Sequence, residues 1–237
     1  GCGLLASSTS GTPEDFWSAS CRRRSRQSHT MIFSLLATLI AYLVGSLSFA
    51  VIVSRAMGLS DPRTYGSGNP GATNVLRSGS KPAAIVTLLL DAAKGWLPVM
   101  LVKWFGPAWD LSEGTQALAG LAGGVGHRYP VVSPVKGGKG GAAGVGGLLA
   151  FEPLLALATM VTFAIIVFFS RYVSLASMVA AVFAPAYYLI GDGVAWTASG
   201  AKTLALIAMG LLLIWRHREN IQRLLAGTES KLGARKK

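Results

Sequence analysis

Residues 141–169 read GAAGVGGLLAFEPLLALATMVTFAIIVFF. The run is too long for one ordinary membrane span, which needs about 20 residues. Glu152-Pro153 interrupts it. Proline lacks the NH that a helix interior needs, and a glutamate inside lipid is costly. The run therefore divides into a short glycine-rich helix over 141–151 and a second helix over 153–169. This division sets whether the number of spans is odd or even, and so the side on which the chain ends.

Working outward, apolar runs occupy 32–53, 83–105, 115–126 with its neighbours, 173–190 and 199–215. The expectation is an all-α, polytopic membrane protein of about seven transmembrane helices. Composition points the same way. The 237 residues are 51% hydrophobic and only 14% charged, whereas a soluble domain carries roughly a quarter charged residues. Mean hydropathy is +0.49. These values exclude disorder and a soluble globule. Cys2 and Cys21 both lie near the start, and the histidines are scattered. Neither a disulfide framework nor a metal site is implied, and no cofactor.

The net charge is +12. In a soluble protein that would suggest nucleic acid. Here anionic lipid and phosphate substrates are the better partners, and no nucleic acid is expected. With seven helices, Arg55, Arg63, Arg77, Lys81, Arg128, Lys136, Lys139 and Arg171 share a side with the basic C-terminal tail. Asp110, Glu113, Glu152 and Asp192 take the other side, with Lys103 and Lys202 near helix ends. The positive-inside rule then places the basic loops and the C-terminus in the cytoplasm. A six-helix count would put the basic tail outside.

Residues 1–30 differ in composition from the rest, with RRRSR at 22–26 on the wrong side for this topology. They are expected to be a disordered, non-native extension, with the integral-membrane domain over 31–237. Residues 31–237 begin MIFSLLATLIAYLVGSL, a run long enough to be a retained helix rather than a cleaved signal.

Several polar features exceed what a membrane anchor needs. The loop at 60–82 contains GSGNPG at 66–71. It matches the dinucleotide fingerprint in form, but a membrane helix precedes it instead of a strand. Gly66, Gly68 and Gly71 permit tight turns whose backbone NH groups can form an anion nest. Ser67, Asn69, Thr73 and Asn74 add hydrogen-bonding groups, and Arg77 adds a forked charge. An ordinary polar turn is the alternative. The second loop, GHRYPVVSPVKGGKGG at 126–141, fails the P-loop pattern because Gly140 follows Lys139. Lys136 and Lys139 among Gly137, Gly138 and Gly140 still make a cationic surface at the start of the 141–151 helix. The third feature, RHRENIQRLLAGTESK at 216–231, spaces His217, Asn220 and Arg223 at i, i+3 and i+6. A lipid-bound juxtamembrane helix is its alternative. Asp91 and Lys94 lie inside the 83–105 span at i, i+3, as a functional or a structural ion pair. Taken alone, these features leave a phosphate-handling enzyme and a small transporter of organic phosphate both open.

In this order the stretches closely resemble the PlsY family, bacterial membrane glycerol-3-phosphate acyltransferases that use acyl phosphate as donor. GSGNPGATN at 66–74, GHRYPV at 126–131, KGGKG at 136–140 and RHRENIQRL at 216–224 carry the resemblance, which runs from about Ala41 to Lys231. It implies transfer of an acyl chain from acyl phosphate to the sn-1 hydroxyl of glycerol 3-phosphate, the first acylation of phospholipid synthesis, in the bacterial inner membrane. Ser67, Arg77, Lys139, His217 and Asn220 are carried over as catalytic residues. Gly66, Gly68, Asn69, Gly71, Thr73 and Asn74 of the first loop, and Lys136, Gly137, Gly138 and Gly140 of the second, are carried over as substrate-binding. No histidine is followed five residues on by an aspartate, the pattern common in acyltransferases that take acyl thioesters. The family usually continues KGGKG with Val-Ala-Thr, where this chain has Gly141-Ala142-Ala143.

Overall fold

The structure, a computed structural model, describes residues 13–131 and 137–233, with side chains from Gln27 onward. Lys136 lies outside the described residues. Helices stand at all the expected places: α1 (Pro13–Gly45), α2 (Phe49–Ala56), α3 (Ala72–Val75), α4 (Lys81–Phe105), α5 (Glu113–Arg128), α6 (Gly141–Phe151), α7 (Pro153–Ser170), α8 (Val173–Ile190), α9 (Gly200–Arg216) and α10 (Arg218–Leu225). The described residues form no β-strand element. Four segments are long and apolar enough to cross a membrane by length and composition: Gln27–Gly45, Lys81–Trp109, Pro153–Ser170 and Val173–Ile190. The chain is a multi-pass membrane protein of helical bundle type.

Two differences from the sequence expectation concern the first helix. The helix begins at Pro13, so residues 13–30 are helical where disorder was expected. Residues 1–12 lie outside the described residues. The expected run 32–53 is also not one helix. It breaks at Ser46–Ser48, where Ser46 Oγ turns back to donate to Tyr42 O (2.8 Å). A hydroxyl that bonds its own preceding turn competes with helix continuation. The break at Glu152-Pro153 falls where the proline required it, with Pro153 in the first turn of α7.

Packing follows membrane logic. Large apolar side chains such as Leu35, Leu89, Phe169 and Leu204 face outward, whereas the interior is rich in small residues: Ala41, Ala119, Ala150, Ala156 and Ala184. Larger groups, Phe151, Leu155 and Tyr188, fill the remaining space. α4 and α6 approach closely, because Gly95 lies directly on the Ala143 carbonyl and Gly146 on the Ala92 carbonyl. A side chain at either glycine would force the helices apart.

Charged contacts sort the helix ends into two groups. At one end Lys202 Nζ pairs with Glu113 (2.7 Å) and approaches Glu152 (3.9 Å), gathering the starts of α5, α7 and α9. Lys103 Nζ donates to the Ala150 carbonyl (3.4 Å) beside them. At the other end Arg216 donates to Gly137 O (2.9 Å), Arg77 to Ser230 (2.9 Å) and Arg171 to Leu232 O (2.9 Å). The second group holds both glycine-rich loops and the C-terminal segment.

Candidate active site

Asn74, only 2% exposed, organises the first loop. Its Nδ2 donates to Pro62 O (2.6 Å) and Tyr65 O (3.1 Å), and its Oδ1 accepts from Ser67 N (3.0 Å). Gly66 adopts φ +61°, and any Cβ there would collide with Asn74 Oδ1. The expected nest of free NH groups is not what forms. Ser67 N is spent on Asn74, Gly68 N on Tyr65 O (3.0 Å) and Gly71 N on Asn69 O (3.0 Å). The loop is tightened by its own backbone, and the capacity to hold an anion passes to exposed side chains, Ser67, Thr73 and Arg77. All of Asn74's polar atoms point inward, so it shapes the loop.

The second loop is built on the end of α5. Gly138 N donates to His127 O (3.1 Å), which spends one NH expected to face a ligand. A Cβ on Gly138 would run into the His127 ring and crowd the Pro70 carbonyl, so Gly138 sits against both. The two loops therefore touch. Gly140, at φ +83°, precedes α6 without a capping side chain. The first NH groups of any α-helix lack intrahelical acceptors, so α6 opens toward this loop with its positive dipole end. Arg128 was expected as a loop cation, yet it is 2% exposed. It folds back along its own helix, donating to Gly124 O (2.9 Å), and its guanidinium supports Gly140 from beneath.

The C-terminal segment joins the loops. Lys139 Nζ donates to Asn220 Oδ1. Asn220 Nδ2 donates to Glu229 (2.6 Å), which also accepts from Ser174 (2.7 Å) and Arg223 (2.8 Å). The adjacent Ser230 accepts from Arg77. Arg77, Lys139, Asn220 and His217 are thereby gathered at one end of the bundle. Glu229, Ser230, Ser174 and Arg216 were missed from sequence. The available signal was a single acid, Glu229, placed after a basic helix in the stretch already singled out.

Burial is the main cause that lowers the Lys139 pKa to about 8; Arg223 and Arg216 push the same way against Glu229 and Glu219. Burial also opposes ionisation of Glu229, but hydrogen bonds from Ser174, Arg223 and Asn220 outweigh it and hold the carboxyl below the ordinary glutamate value. His217 is brought down to about 4, chiefly by burial, against the hydrogen bond to Leu213. Its Nδ1 lies 2.8 Å from Leu213 O, and a carbonyl can only accept. The proton therefore sits on Nδ1 and the lone pair on Nε2. Among the described residues no three His, Cys, Asp or Glu side chains gather as a metal ion would require. Desolvated cations beside an open helix N-terminus suit bound anions, and phosphate is the natural match.

Fold and site define a helical, multi-pass membrane protein with a cation-lined anion site at one end. Residues 35–227 match the family model described as glycerol-3-phosphate acyltransferase, and the chain belongs to that family. A glycerol-3-phosphate acyltransferase of Albidiferax ferrireducens is 65% identical over 207 residues, covering 87% of this chain and 92% of the relative. The crystal structure of PlsY, an integral membrane glycerol 3-phosphate acyltransferase, in its glycerol 3-phosphate form is similar at TM-score 0.77 and 37% identity. It covers 84% of this chain and 96% of that one. The lysophosphatidic acid form of PlsY gives TM-score 0.75 at 36% identity, with 84% and 95% covered.

Proposed function

We propose that the membrane domain, residues 31–237, transfers an acyl chain from acyl phosphate to the sn-1 hydroxyl of glycerol 3-phosphate. The observation that carries this is the meeting of Lys139, Asn220 and the Gly140–α6 junction with the Arg77 loop at one end of the bundle. Two phosphate-bearing substrates need two adjacent cationic centres, and Lys139 and Arg77 supply them. The solved relatives described as glycerol 3-phosphate and lysophosphatidic acid forms support the acceptor and product. Lysophosphatidic acid is a phospholipid precursor, which supports a reaction at the first acylation. The basic loops favour an inner-membrane orientation with this end in the cytoplasm.

In the reaction, the acceptor oxygen attacks the acyl carbonyl carbon. The carbon–oxygen bond to phosphate breaks as the ester bond forms. Phosphate leaves with the hydroxyl proton as hydrogen phosphate, so atoms and charge balance without an acyl-enzyme. Arg77 and Lys139 neutralise the phosphates, and α6 NH groups favour the developing oxyanion. Ser67, His217 and Asn220 orient the acceptor. A neutral His217 with a pKa near 4 accepts a proton poorly at neutral pH. That supports the leaving phosphate as the proton's destination.

The test supplies purified full-length protein with labelled glycerol 3-phosphate and either palmitoyl phosphate or palmitoyl-CoA. Labelled lysophosphatidic acid from palmitoyl phosphate alone is expected. Product from the thioester alone would overturn the donor assignment.

A further inference from the structure

The chemistry above leaves three interior side chains unused: Asp91 and Lys94 on α4, and His127 near the end of α5. They are 2%, 3% and 8% exposed. Charges at that depth are costly unless partnered, and most often carry a role. Lys94 Nζ stands 2.8 Å from Asp91 Oδ1 and donates to Leu47 O (2.5 Å). Leu47 lies in the break between α1 and α2, where carbonyls lack helical donors. Phe49, just past the break, places its ring 5.5 Å from the same ammonium. Asp91 Oδ1 is in turn 3.8 Å from His127 Nδ1, a nitrogen with no hydrogen-bond partner among the described residues. The opposite edge of the ring, with Nε2, rests on Gly138. A cavity of about 10 Å³ lies among Lys94, His127, Ser46, Pro70 and Gly138. That is the room of one water.

We propose that Asp91, Lys94 and His127 are positioning residues for acyl transfer, a buried charged relay that fixes the Gly137–Lys139 loop against the Pro70 loop and the α1–α2 break. The inference rests on placing that loop in the active site, as proposed above. Each member holds a different segment. Lys94 ties down the break, and Asp91 sets its charge against the imidazole, with Nδ1 at 3.8 Å. The ring then buttresses Gly138, one residue before Lys139. The close α4–α6 contact at Gly95 and Gly146 lies on the same helix as the relay, so loop and α6 are referenced to one rigid element. Apolar side chains of equal volume would fill the space, but they would not fix direction as ion pairs and hydrogen bonds do.

The experiment measures kcat and KM on full-length protein in detergent, per folded molecule. The variants are His127→Gln and the double variant Asp91→Asn/Lys94→Met, which removes both charges and leaves neither stranded. Lys202→Met is the control for losing a buried lysine and its ion pair to an exposed glutamate far from the loops, and Lys139→Ala for the loop itself. A loop displaced by about 1 Å costs on the order of 100-fold. The expected result is kcat lower by about 10- to 100-fold in both relay variants, with KM for glycerol 3-phosphate changed less than about threefold. Lys202→Met keeps kcat within about twofold. The inference is overturned if either relay variant, folded, keeps wild-type kcat, or if only KM rises. It is equally overturned if Lys202→Met loses kcat in parallel. Full turnover in Lys139→Ala would remove the loop from the active site, which is failure of the underlying reading and takes the relay with it.

Discussion

Replacing Asn74 by alanine tests the account of the first loop most sharply. The side chain contacts three backbone groups: Pro62 O at 2.6 Å, Tyr65 O at 3.1 Å and Ser67 N at 3.0 Å. Each such bond contributes about 1 kcal/mol net. Their loss weakens the ordered loop by about 3 kcal/mol, and about 1.4 kcal/mol is tenfold. If only the ordered loop presents Ser67 and Arg77 correctly, kcat/KM falls by roughly two orders of magnitude. Asn74→Asp keeps the acceptor for Ser67 N but sets a carboxylate against two carbonyls, so it gives no rescue. The assay is lysophosphatidic acid formation at limiting glycerol 3-phosphate, with the thermal midpoint followed in parallel. The helices hold the bundle together, so the midpoint moves little. Asn74→Ala with kcat/KM within about threefold of the wild type would mean that Asn74 does not hold Ser67 and Arg77 in place.

Other expectations concern charge. Free Lys139 loses its proton as pH rises through about 8, so kcat/KM of the free enzyme falls above that pH. Lys139→Arg, charged past pH ~12, removes that limb from the profile. Glu229→Gln removes the carboxylate that gathers Ser174, Asn220 and Arg223, costing about 3 kcal/mol once the exposure of Arg223 is discounted. Glu229 also supports the charge on Lys139, so the same variant moves the alkaline limb to lower pH. His217 binds fewer protons folded than unfolded between its folded pKa of about 4 and the ordinary value near 6.5. Stability is therefore full above that ordinary value and declines as pH falls toward 4. Thermal midpoints of His217→Gln across that window are expected to be flatter than those of the wild type.

The topology was legible because its deciding signals are local. Glu152-Pro153 ends one helix and starts another by backbone chemistry alone, and charge placement sorted the ends correctly. The break at Ser46–Ser48 was not legible. The run around it stays apolar, and the lysine that holds Leu47 O lies 47 residues away along the chain. The same limit explains Arg128, whose position in a basic loop suggests solvent although its side chain turns inward. Of the site residues, Arg77, Lys139, His217 and Asn220 stand out by type and motif. Asn74 was legible as a loop residue but not as the loop's organiser, since that depends on bonds to Pro62, Tyr65 and Ser67 in three dimensions. Glu229 escaped notice because an acid looks out of place in a phosphate site. Its role emerges only where Asn220 and Arg223 converge on it.

In the proposed reaction one cationic site holds both phosphates while the acyl group passes directly from the donor phosphate to the acceptor's sn-1 hydroxyl. Phosphate release from palmitoyl phosphate, with and without glycerol 3-phosphate, tests it most directly in the wild type and Arg77→Ala. Release only with the acceptor, one phosphate per lysophosphatidic acid, and loss in Arg77→Ala are the expected results. Release at the same rate without acceptor, or an unaffected Arg77→Ala, would contradict that reaction.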